Sequence, residues 1–191
     1  SPHPEKADRA ADTLRDLQPG LGHLVHMPSH VDVRRGRWQQ AIDANAKAME
    51  ADRRYTARSP NQGFYRLYMA HNHHMLAYAA MMTGQSALAL KTIRQMVADI
   101  PLDFFKANPF ADGFMAMPLE VLMRFGRWEE IIATPPLPDY LPLSRALQHY
   151  ARGVAFAATG RLDEARQEQA AFAEARTAVP ADTYFGNNPA S

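Results

Sequence analysis

Six of the chain's eight histidines fall in two short segments, His23-Leu24-Val25-His26-Met27-Pro28-Ser29-His30 and His71-Asn72-His73-His74. On a helix advancing about 100° per residue, positions 23, 26 and 30 share one stripe, and positions 71 and 74 share another. Neutral imidazole is the commonest metal-ligating side chain, and helical proteins build metal sites from such spacings on facing helices. The chemistry these residue types suggest is binding of a transition metal. Zinc, copper and iron all suit imidazole, and the ligand types do not choose among them. The same residues would also make a polar face for a protein or peptide partner. Pro28 bears on the stripe, because proline disfavours helical backbone at the residue before it. A helix starting at Pro28 would leave His23 and His26 in a lead-in segment and put His30 alone on the helix.

Other chemistries find less support. The chain has no cysteine, which excludes disulfides, thiolate ligands and cysteine nucleophiles. Lys plus Arg (21) nearly balances Asp plus Glu (20), so nothing points to nucleic acid as a partner. No apolar run is long enough for a membrane span, and Ser1 opens no signal-peptide pattern. Ser29 lies between two histidines, yet its place suits helix packing better than nucleophilic catalysis. No Gly-rich phosphate loop and no HExxH segment occur. Compartment and oligomeric state stay open.

The elements that must position the histidines follow a repeated grammar. Gly36-Arg-Trp38-Gln-Gln-Ala41, Gly84-Gln-Ser86-Ala-Leu-Ala89, Gly126-Arg-Trp128-Glu-Glu-Ile131 and Gly160-Arg-Leu162-Asp-Glu-Ala165 each separate two apolar helical runs. Each glycine reads as a helix C-cap in a tight turn. The turn glycines are 48, 42 and 34 residues apart. The extra residues of the first gap are expected as a loop around Arg54 to Arg66, and those of the second between Pro101 and Gly113. Thr134-Pro135-Pro136-Leu137-Pro138 cuts the third unit short, since proline breaks a helix interior. No strand pattern competes, and the fold class is all-α.

This grammar resembles the tetratricopeptide repeat, a helix-turn-helix unit of about 34 residues. The resemblance implies a right-handed α-solenoid over a single domain. It would comprise a half repeat at 4–19, repeats at 22–55, 70–103, 112–134 and 146–179, and an irregular tail at 180–191. A chain that opens in mid-hairpin suggests a fragment of a longer protein. In such arrays one stripe of each first helix lines a concave groove. The resemblance places His23, His26, His30, Arg34, His71, His74, Tyr78 and Glu120 there, and His73 and His149 at packing positions. His23, His26, His30, His71, His74 and Glu120 are then the candidate metal ligands. Asp32 and Asn72 are candidates for a supporting shell, Asp32 as a carboxylate orienting a histidine. Arg34 could hold an anion, and Tyr78 could line the groove.

More narrowly, the HMPSH and HNxH segments, with Arg124-Phe-Gly-Arg-Trp128 and His149-Tyr-Ala-Arg-Gly153, resemble a group of bacterial tetratricopeptide proteins of largely unassigned function. Members of that group are longer at both ends. Two functions follow as expectations: a metal-binding groove, in a metal-dependent enzyme fragment if it is catalytic, or a metal-free scaffold whose groove holds a peptide or protein.

Overall fold

The computed structural model describes residues 2–185 and 188–189; Ser1 and tail positions 186–187 and 190–191 lie outside the described residues. The chain divides into two compact units, Ser1–Met96 and Val97–Ser191, and the division falls inside the second predicted repeat. Among the described residues the structure is all-helical apart from one two-residue strand pairing.

In the first unit, a 3-10 turn at Pro4–Ala7 leads into α1 (Asp8–Leu14), followed by α2 (Gly22–His26), α3 (Pro28–Arg35), α4 (Trp38–Arg58) and α5 (Arg66–Met82). Helix α6 (Ser86–Asp99) carries the chain into the second unit. There follow α7 (Leu102–Ala107), a 3-10 segment at Pro109–Ala116, α8 (Met117–Arg124), α9 (Trp128–Ile132), α10 (Pro142–Ala158) and α11 (Leu162–Thr177). In the predicted irregular tail, β1 (Tyr184–Phe185) pairs antiparallel with β2 (Asn188–Pro189), a pairing that no sequence pattern announces.

All four turn glycines have left-handed backbone, with φ of 69°, 73°, 63° and 77° at Gly36, Gly84, Gly126 and Gly160. All four turns also close in one way. The N–H after each glycine reaches back five residues, Arg37 to Asp32 at 2.8 Å, Gln85 to Ala80 at 2.9 Å, Arg127 to Leu122 at 3.0 Å and Arg161 to Phe156 at 2.9 Å. This is the long hydrogen bond of a Schellman cap, which satisfies a carbonyl the helix end would leave open.

The linkers depart from the predicted loops. Helix α4 runs on to Arg58, so part of the first insertion is helical, and only 59–62 is irregular before a 3-10 turn at Gly63–Tyr65. The second insertion is likewise built from α7 and the 3-10 segment. Within that segment Asp112 is buried and accepts the Leu143 and Ser144 N–H groups at 2.7 and 3.0 Å, capping α10 from a distance.

Small residues set the spacing in the first unit. Ala41, Ala48 and Ala51 on α4 and Ala70 and Ala77 on α5 are buried, and α4 packs against α2, α3 and α5. Among the glycines, the backbone is most closely approached at Gly22. A Cβ there would fall 2.0 Å from Asp52 Oδ1, 2.6 Å from Asp52 Cγ and 3.0 Å from the Ala48 carbonyl oxygen. A methyl group at residue 22 must therefore displace the Asp52 carboxylate. Gly22→Ala is expected to lower unfolding stability by about 1–3 kcal/mol, the usual cost of overpacking. In an Asp52→Ala background the same change should cost clearly less, because the clashing group is gone. Urea unfolding of the two single variants and the double variant tests this, and strictly additive losses would refute the contact.

Candidate metal centre

The histidines come together at the junction of α2, α3 and α5, all in the first unit. Pro28 does break the hydrogen-bond ladder, but it does not send His26 off the stripe. Met27 keeps helical backbone (φ −52°, ψ −38°), and its N–H donates to the His23 carbonyl at 3.1 Å. His26 and His30 thus stay four residues apart on a nearly continuous helical path, with their Nε2 atoms 2.9 Å apart. From α5 His71 completes the group, its ring centroid 4.8 Å from that of His26 and 5.5 Å from that of His30. One ligand atom from each of His26, His30 and His71 can be chosen so that all lie within 4.8 Å of one another.

The chain fixes the protonation of His26 from behind. Asn45, fully buried on α4, donates its amide N–H to the Ala41 carbonyl at 2.8 Å, which leaves its oxygen facing His26 Nδ1 at 2.7 Å. That oxygen can only accept, so Nδ1 carries the proton and Nε2 presents its lone pair to the cluster. Without a metal, the His30 Nε2 opposite must donate. Asn45 therefore does for His26 what outer partners do for metal-ligating histidines generally: it sets tautomer and ring orientation.

Electrostatics favours the neutral, ligand-ready form. Burial first, and the neighbouring imidazoles after it, push His26 down to about 4 and His71 down to about 3. His30 and His74 are also lowered, chiefly by burial.

The remaining predicted site residues are placed as follows. His23 stacks on His26 at 5.8 Å between centroids, and His74 lies 6.0 Å from His71, but neither joins the converging set. Asp32 does not orient a histidine. Fully buried, it accepts two hydrogen bonds from Arg15, at 2.8 and 2.6 Å, because a buried carboxylate needs a partner and guanidinium offers a two-pronged one. Asn72 is buried and donates to Asp52 at 2.7 Å rather than to a histidine. Tyr78 packs edge-on to Trp38, with centroids 6.0 Å apart. Arg34 is exposed in the last turn of α3. Glu120 belongs to the second unit, on α8, where burial pushes its carboxyl up, and it is not part of the converging set. His73 hydrogen-bonds with the Met69 carbonyl (2.9 Å) and His149 with Glu168 (2.7 Å).

Three residues escaped the sequence reading. They are Asn45 behind His26, Arg15 on Asp32, and Asp52, which accepts from Asn72 and, at 3.4 Å, from the Tyr65 hydroxyl. Comparison with protein-family models, curated proteins and solved structures finds no match to this chain. Among the described residues no helix is long and apolar enough to cross a membrane.

The lowered imidazoles carry a stability signature. Free histidine titrates near about 6.5. Below that pH the unfolded chain takes up protons that folded His26 and His71 refuse, so the metal-free protein should lose stability as pH falls from about 6.5 toward about 4, and further toward about 3. The raised carboxyls Asp52 and Asp112 act in the opposite sense, each favouring the folded state while protonated. Urea midpoints from pH 7.5 to 5 should fall for the parent and fall less steeply for a His26→Gln, His71→Gln double variant. Equal slopes would show that these histidines titrate normally.

Proposed function

We propose that the chain binds one transition-metal ion through His26, His30 and His71. The observation that carries this is the convergence of three ring nitrogens from two helices, one of them aimed by Asn45. Nitrogens bound at about 2.0–2.1 Å in a tetrahedron sit about 3.3 Å apart. The present spacing needs only side-chain adjustment to reach that. Binding would require His30 to carry its proton on Nδ1 in place of Nε2, a change of tautomer with no net proton released while the imidazoles are neutral. Zinc, copper and iron all suit three imidazoles, and a three-histidine site is a pattern used for catalytic zinc, with the fourth position left to water or substrate.

The architecture we propose around it is a right-handed solenoid of tetratricopeptide-like hairpins. The four identical glycine turns support it, as does the plain repeat spacing between Gly126 and Gly160. The bacterial HMPSH group remains the resemblance that the histidine segments suggest.

Metal analysis of protein purified without a histidine tag, after zinc, copper and iron are offered in turn, tests the reading. One ion per chain is expected in the parent, and none in a His30→Ala, His71→Ala double variant. An empty parent would refute metal binding and favour a metal-free scaffold whose groove holds a peptide. A second test concerns aim. Asn45→Ala leaves all three ligands in place, and is expected to weaken metal about 10- to 100-fold in competition with a chelator, the usual loss for an outer partner. Unchanged affinity in a folded variant would show that Asn45 does not orient His26.

A further inference from the structure

We infer that Asp52 is a positioning residue for the proposed metal site, holding His71 at its distance from His26 and thereby setting the site's affinity for the ion. This rests on the metal reading above and deepens it. Among the described residues, Asp52 hydrogen-bonds to none of the three ligands.

The ligands come from two separate stretches of chain. His26 and His30 belong to α2 and α3, and His71 belongs to α5. The His26 and His71 ring centroids are 4.8 Å apart. A binding constellation must be held to within about 0.5 Å of its working geometry, so a small slide of α5 would open the set.

Both stretches pack on α4. Asn45 and Asp52 lie seven residues apart on it, about two turns, and so share one face. Asn45 meets the His26 ring at 2.7 Å. Asp52 does the corresponding work for the other stretch. One of its oxygens accepts from Asn72 at 2.7 Å, and Asn72 follows His71 on α5. The other accepts from the Tyr65 hydroxyl at 3.4 Å, at the end of the 3-10 turn that leads into α5. A Cβ on Gly22 would fall 2.0 Å from that same oxygen, so the start of α2 closes onto the carboxyl as well. One carboxyl thus meets the first residue of the helix that carries His26 and the neighbour of His71.

Asn72 adds a second observation. It is fully buried, and its Oδ1 has no hydrogen-bond partner. A buried polar atom left unpaired is costly. The chain bears that cost at the residue beside His71, and what Asn72 secures there is the bond to Asp52.

The test measures cobalt(II) affinity of the whole chain by competition with a chelator, and the NOE between the His26 and His71 rings in metal-free protein. Both are read on variants whose circular dichroism matches the parent. Asp52→Ala and Asn72→Ala are each expected to weaken cobalt about 2- to 30-fold, the range for a residue coupled to a site it does not touch, and to diminish the NOE. Asp52→Asn keeps an oxygen that can accept from Asn72 and should retain both. Asp112→Ala removes a buried carboxyl from the second unit and should change neither. Parent affinity in folded Asp52→Ala and Asn72→Ala would overturn the link to affinity, and an unchanged NOE would overturn the positioning. An equal loss in Asp112→Ala would reduce the effect to general stability and refute the assignment. A parent that takes up no cobalt would count against the metal site itself, while the NOE would still decide whether Asp52 places His71.

Discussion

The Asp52 carboxyl ties the first unit together where its histidine-bearing segments meet. It is almost fully buried on α4, and a buried carboxyl without partners would cost several kcal/mol. It finds them on both neighbouring elements. Asn72 on α5 donates to one oxygen, the Tyr65 hydroxyl reaches the other, and α2 begins against it at a residue with no side chain. Asn72 is next to His71, and Gly22 is four residues before His26. The contacts that satisfy Asp52 therefore set how closely the two histidine-bearing segments approach. Desolvation pushes the carboxyl up while these donors pull it down, and the outcome is raised, so burial outweighs them.

A second constraint is charge. Five imidazoles in ring contact cannot all be protonated away from water, and the depression of His26 and His71 expresses that conflict. The chain resolves it by holding His26, His30, His71 and His74 below the usual imidazole range, and a neutral imidazole with a lone pair facing inward can serve as a metal ligand. The cost of burying these rings and their fitness to hold a metal thus have a single origin. A cluster of lysines in the same place would also be pushed neutral, but without the ring geometry that lets two nitrogens stand 2.9 Å apart.

Much of this was legible in the sequence, for definite reasons. The turn glycines announce themselves because left-handed backbone nearly demands glycine, and the structure finds it at all four. The pairing of His26 with His30 follows from a four-residue spacing. The supporting residues were harder to see, because their partners are 17 to 20 positions away: Arg15 with Asp32, His26 with Asn45, Asp52 with Asn72. Spacing within one helix says nothing about such pairs. One signal was available. Ala41, Asn45, Ala48 and Asp52 lie on one stripe of α4, and the two polar members interrupt an otherwise buried alanine face. A polar side chain on an apolar stripe must have a partner across the interface. Asp32 misled for a different reason: its place in the repeat suggested a carboxylate orienting a histidine, whereas burial pairs it with the Arg15 guanidinium.

Pro28 shows how far local preference yields at this site. Proline pushes the preceding residue toward extended backbone, which would have separated His26 from His30. Met27 is helical nonetheless. The preference is overridden by burial on both sides of the break, where His26, Pro28 and Ser29 are all enclosed, and by the hydrogen bond from His26 to Asn45. Such conflicts between local rule and tertiary contact are rare in a well-folded chain and gather where function needs them. The proline leaves one ladder hydrogen bond unmade between two histidines, and the surrounding packing holds those histidines in register. A plain helical turn would have been easier to fold. The junction, with Asn45 hydrogen-bonded to one of its rings, fixes where the His26 nitrogen stands relative to His30.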